Sequence, residues 1–91
     1  MLRHIPNIGN MARPSKHAEN SPALAAFGRA VRAARLEQEI SQEALADLAG
    51  IDRSYMGGIE RGEHNVALIN IQKIAHALRL SVANLMALAD I

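Results

Sequence analysis

The groups best equipped for chemistry in this chain are concentrated in one twenty-residue stretch, QEALADLAGIDRSYMGGIER, from Gln42 to Arg61. They are hydrogen-bonding groups rather than catalytic ones. Arg53 and Ser54 follow Asp52, a residue suited to cap a helix, so both fall in an exposed first turn. An arginine fork can donate two hydrogen bonds to guanine O6 and N7, which lysine cannot copy, and serine can serve several bases. No nucleophile–base set, phosphate loop or carboxylate pair stands out elsewhere, and 91 residues leave little room for a cleft. An enzyme, a cofactor and a small-molecule substrate are therefore not expected. The four histidines (His4, His17, His64 and His76) show no ligand spacing and cysteine is absent, so neither a metal site nor a disulfide is expected.

Two short helices meeting at a sharp angle must position these groups. Their backbones approach at a small residue, Ala46, and the turn between them needs positive φ, which Gly50 tolerates. Leu45, Ala49, Ile51, Met56 and Ile59 are spaced to close a small core between the two. Upstream, Ser21-Pro22 is a cap followed by proline at the first helical position. Leu24, Phe27, Val31 and Ala34 then give one apolar face to about Glu37. Ser41 caps the second helix, which is expected to bury Leu45, Leu48 and Ala49 and to stop at Gly50. Asp52 caps the third, which Gly62 ends. After the polar loop Glu63-His64-Asn65, a fourth helix carries Leu68, Ile71, Ile74, Ala75 and Leu78 on one face. Ser81 caps a fifth with Leu85 and Leu88. The expected fold is all-α: a compact five-helix domain over residues 21–91, with no segment alternating like a strand. Residues 1–20 hold Pro6, Gly9 and Pro14 and no sustained apolar period, and read as a flexible N-terminal arm. Met11 is an alternative start. Arg3, Arg13 and Lys16 either lie along a DNA groove or have no role.

Composition sets limits without choosing a function. Apolar residues make up 49% of the chain, but Phe27 and Tyr55 are its only aromatics, so the core is aliphatic and suits helices. No apolar run approaches a membrane span and the N-terminus lacks a signal-peptide stretch, so a cytoplasmic protein is expected. Ten Lys and Arg face nine Asp and Glu, a formal net charge of +1, which does not by itself announce a nucleic-acid partner. Charge is instead uneven along the chain. Arg29, Arg32 and Arg35 stand in the first helix, and Glu37, Glu39, Glu43 and Asp47 follow as a block.

From Phe27 to about Leu88 the chain resembles the phage-repressor and Cro-like helix-turn-helix family, whose fold is the lambda-repressor-like bundle. The run IDRSYMGGIERGEHNVALINIQKIA is especially similar to the controller proteins of restriction–modification operons. Three positions depart from the family pattern. Glu39 and Arg79 stand where the family usually has glycine after helices 1 and 4, and positive φ there would cost about 1 kcal/mol each. Ala67 replaces the usual small cap before helix 4, with Asn65 as a possible substitute.

The resemblance implies roles for individual residues. It sets Arg53 and Ser54 against base edges, with an ordinary solvated helix residue as the alternative for Arg53; it sets Gln42, at the amino end of helix 2, against a phosphate, with a simple first-turn residue as the alternative. Tyr55 takes a phosphate-contacting position, or packs its ring on the neighbouring helix. His64 and Asn65 touch backbone or an outer base, or are plainly solvated. Arg35 and Glu60 correspond to an ion pair between helices 1 and 3, against two unrelated surface charges. Gly57 and Gly58 cost a helix about 2 kcal/mol relative to alanine. Either they admit close approach of DNA, leaving specificity to lean on DNA shape, or they reflect weak selection on a helix held by packing. Ile69, Met86, Ala87 and Ile91 are expected at a dimer surface or in peripheral core packing.

Three functions compete. The leading one is a transcriptional regulator that binds a near-palindromic duplex DNA operator as a homodimer. The second is an antitoxin-type protein that binds a partner toxin and autoregulates its operon. The third, an enzyme, has no site to support it.

Overall fold

The computed structural model describes residues 21–91. The expected arm over residues 1–20, with Arg3, Arg13, Lys16 and the alternative start Met11, lies outside them. The described residues form five helices and no strand: α1 (Pro22–Glu37), α2 (Gln42–Ala49), α3 (Arg53–Glu60), α4 (Leu68–Ala77) and α5 (Val82–Ala89).

Helix starts follow local chemistry. The side chains of Ser21, Ser41, Asp52 and Ser81 each accept a hydrogen bond from the backbone N–H three residues on, at 2.9–3.2 Å. Each such cap stabilises its helix by about 1 kcal/mol. Ala67 before α4 offers no side-chain cap, and Asn65 does not replace it.

Helix ends share one device. After α1, α2 and α4 the chain turns through a left-handed residue: Glu39 (φ 58°), Gly50 (φ 69°) and Arg79 (φ 61°). In each case the next N–H reaches back five residues: Ile40 to Arg35, Ile51 to Ala46 and Leu80 to Ala75. Ile40, Ile51 and Leu80 then fold onto the core. This closure satisfies carbonyls that the helix leaves free and fixes the exit direction with an apolar contact. Gly50 makes it without strain, as does Gly62 (φ 78°) after α3, where the Glu63 N–H reaches back to Gly58. Glu39 and Arg79 adopt the conformation that the family pattern reserves for glycine, and each carries the cost of roughly 1 kcal/mol.

The core is built from every helix. Phe27 and Val31 come from α1, Leu45 from α2, Met56 and Ile59 from α3, Ile74 from α4 and Leu85 from α5, with Leu78 just beyond α4. Fully burying one such side chain is worth about 1.5–3 kcal/mol. Three leucines expected in this core are outside it: Leu48, Leu68 and Leu88 are 64%, 65% and 59% exposed. At 100° per residue they lie about 70–110° round their helices from the middle of the buried stripe. A spacing of three residues keeps the phase loosely. The position of the neighbouring helices then decides which edge of the stripe stays in water.

One contact brings α1 against α3 at backbone range. A Cβ added to Gly28 would stand 2.6 Å from the Glu60 carbonyl oxygen. Glycine is required there because no side chain fits between the two helices.

Candidate nucleic-acid interface

Helix α3 has two sides with different work. Met56, Ile59 and Glu60 face inward, whereas Arg53 and Ser54 are exposed in the first turn. Asp52 caps that turn by accepting from the Tyr55 N–H at 3.2 Å. The two candidate base-reading side chains therefore stand in solvent at the amino end of a helix whose opposite side is built into the core.

The inward side is locked by a polar clamp. Glu60 Oε2 accepts from Arg35 Nε at 2.7 Å, and Glu60 Oε1 accepts from Arg35 Nη2 at 3.0 Å. The pair is bidentate and largely dry, with side-chain exposures of 9% and 3%. Arg35 Nη1 also donates to the Ile40 carbonyl at 3.1 Å, tying the pair to the turn that leads into α2. Hydrogen bonding to Glu60 and its negative charge hold the Arg35 guanidinium above its ordinary pKa, against the opposing effect of burial. The guanidinium stays charged wherever the protein is folded.

Gln42 is the third member of the clamp. Its Nε2 donates to Glu60 Oε1 at 3.0 Å. The resemblance suggested a phosphate contact or a simple first-turn residue, and one of its two amide hydrogens is in fact spent on Glu60. The remaining N–H and the backbone amides at the start of α2 are what it can still offer an anion. Nothing in the sequence marked the Gln42–Glu60 contact, because the two residues are 18 positions apart and meet only through the helix crossing.

The loop after α3 is partly docked on it. Tyr55 is half-buried against the core, and its ring lies 4.9 Å from the His64 imidazole at an angle of 43°. It thus packs on the core and on the loop together. Asn65 is exposed. Arg61 and Glu63 form a second bidentate pair on the surface at 2.8 and 3.2 Å, which sequence reading did not foresee.

Gly57 and Gly58 are both buried by this chain's own side chains. A Cβ on Gly57 would stand 3.1 Å from both Arg61 Nη1 and Gln42 Oε1. A Cβ on Gly58 would clash with Nε2 and Cδ2 of the His64 ring. Neither expected account of the pair anticipated intramolecular neighbours filling both positions. The signal was present all the same: two glycines inside one eight-residue helix are costly enough to demand a steric reason.

Of the four candidate dimer residues, Ile69, Ala87 and Ile91 are exposed, while Met86 is half-buried against the core. Leu68 and Leu88 add to the apolar surface of α4 and α5. No helix among the described residues is long and apolar enough to cross a membrane.

Residues 31–85 match the model of the helix-turn-helix family. The control protein C.BamHI of Bacillus amyloliquefaciens is 44% identical over 61 residues, covering 66% of this chain and 75% of that one. Control protein C.SmaI of Serratia marcescens is 43% identical over 56 residues, covering 62% and 67%. Among solved structures, the restriction-modification controller protein C.AhdI from Aeromonas hydrophila superposes with a TM-score of 0.67 at 50% identity, over 68% of this chain and 94% of that one. The match spans the capped helix pair, the clamp and the docked loop alike, and on that ground the chain belongs to the helix-turn-helix family of DNA-binding regulators, alongside the restriction–modification controllers it resembles.

Proposed function

We propose that this protein is a cytoplasmic controller of a restriction–modification operon that binds a near-palindromic duplex operator as a homodimer. The observation that carries the reading is the exposed Arg53–Ser54 turn on a helix whose other side is locked to α1 and α2 by the Arg35–Glu60–Gln42 clamp. A rigid mount lets a few side chains specify a sequence, because little ordering remains to be done on binding. In this reading Arg53 holds guanine O6 and N7 with its fork, and Ser54 supports an adjacent base. Gln42, Tyr55, His64 and Asn65 line the backbone side and fix register.

Doubling the half-sites supplies specificity that one small domain lacks. Ile69, Ala87 and Ile91, with Met86 at the edge, form the self-association surface. The similarity to control proteins favours this function over the antitoxin reading.

The test begins with selection of bound sites from random duplex DNA, followed by titration of Arg53→Ala on the selected and a scrambled duplex. Loss of the fork should cost about 1–3 kcal/mol on the selected site and relax preference at one position per half-site. Equal loss on both duplexes would make Arg53 a phosphate contact. Unchanged binding on both would remove α3 from the reading role.

A further inference from the structure

The geometry points to Gly58 as a positioning residue for DNA reading, its missing side chain forming the notch that seats His64. This rests on α3 being the recognition helix. Position 58 lies one turn beyond Ser54 and three residues beyond Tyr55, so it belongs to the side of α3 that carries both. The Nε2–Cδ2 edge of the His64 ring occupies the space where a Cβ would project from Gly58. In a five-membered imidazole the atom opposite that edge is Nδ1, which therefore points away from the helix backbone. No hydrogen bond from another described residue engages the ring; it lies against Gly58 and 4.9 Å from the Tyr55 ring, with the Glu63 carboxylate nearby.

The notch thus does two things with one absent methyl. It admits the His64 ring to van der Waals range of a helix to which the Glu63 N–H already ties the loop backbone, donating to the Gly58 carbonyl at 2.9 Å, and it sets the imidazole beside Tyr55 as a single polar-edged surface next to Ser54. A glycine inside a helix forgoes helix propensity relative to alanine. No fold requirement offsets that here, because the atoms in the way are side-chain ends that can rotate aside, rather than backbone. The gain lies in where His64 is held. This contrasts with Gly28, where the obstructing atoms are backbone carbonyls and the requirement is structural.

The experiment compares Gly58→Ala, His64→Ala and the double variant on a duplex selected by the wild-type protein and on its scrambled counterpart, with thermal melts of each. Gly58→Ala should melt at or above wild type, yet lose roughly tenfold in affinity for the selected duplex, as His64→Ala does. The double variant should lose no more than the larger single loss, because both changes abolish the same seating. Binding to scrambled DNA should change by less than about threefold. Wild-type affinity of Gly58→Ala, or losses that multiply in the double variant, would overturn the proposal. If Gly58→Ala melts low, the double variant, whose notch is empty of the ring, still decides: affinity well below that of His64→Ala alone also overturns it. Arg53→Ala in parallel separates the two claims. Loss of specific binding there with none in Gly58→Ala leaves α3 as the reader and removes only the notch.

Discussion

The seam where α1, α2 and α3 cross and the outer face of α4 and α5 treat side chains in opposite ways. At the seam, charged and amide groups are taken out of water and each is answered: Glu60 receives three hydrogen bonds, and Arg35 makes one more to the Ile40 carbonyl. On the outer face, Leu68, Ile69, Leu88 and Ile91 are left in water, each 59–65% exposed. A buried carboxylate stripped of donors is costly, so the seam tolerates one arrangement only. Exposed leucines and isoleucines specify no geometry by themselves, but they gain when another surface covers them. The same small domain therefore holds a closed polar seam around α3 and, on α4 and α5, large apolar side chains left in solvent.

Breaking the seam should have the largest effect. Glu60→Ala strands the buried Arg35 guanidinium and removes the acceptor for Gln42, and should destabilise by roughly 3–5 kcal/mol. For a domain of this size that lowers the melting temperature by more than about 10 °C. The double replacement Arg35→Met with Glu60→Leu should cost distinctly less than Glu60→Ala, because no charge is left unanswered. If Glu60→Ala melts like wild type, the seam is not what holds α3.

On the outer face the expected change is in mass rather than melting. Wild type should sediment at micromolar concentration near twice 9.8 kDa. Ile69→Asp should sediment as a monomer, with a monomer stability within about 0.5 kcal/mol of wild type, as for exposed substitutions generally. A wild-type monomer that stays monomeric on its selected duplex would erase the contrast drawn above.

The smallest effect sharpens the comparison by moving the same chemistry to the surface. Arg61 and Glu63 form the same fork as Arg35 and Glu60, but in solvent, with side-chain exposures of 61% and 40%. The Arg61 hydrogen bonds hold the Glu63 carboxyl below its ordinary pKa of 4.5. Its contribution is therefore complete above the ordinary carboxylate range and disappears as pH falls through the depressed folded value. Glu63→Gln should melt almost as wild type at neutral pH, and what difference exists should vanish on acidification and shrink with salt. A difference that grows on acidification would contradict the assigned pairing.

Much of the fold was legible because it is local. Four of five helix starts are written in one residue each, Ser21, Ser41, Asp52 and Ser81, whose side chains bond to an N–H three positions away. The turn at Gly50 needs only its own φ. The exposed Arg53–Ser54 turn follows from the cap at Asp52 and the phase of Met56 and Ile59 behind it. The resemblance further named Arg35 and Glu60 as partners, although no spacing rule relates residues 25 positions apart.

What depended on tertiary structure involves the placement of one element against another. Leu48, Leu68 and Leu88 lie at the edge of their helices' buried stripes, and the placement of the neighbouring helices leaves each more than half exposed. Gln42 turns its amide to Glu60 only because α2 crosses α3 where it does. Gly58 reads as a defect in a helix until the His64 ring is found in its place. Hydrogen bonds across three or four residues are set by the chain's own geometry, and sequence states them directly. Occupancy of space between segments far apart in sequence depends on how all five helices pack at once, and no local pattern encodes that.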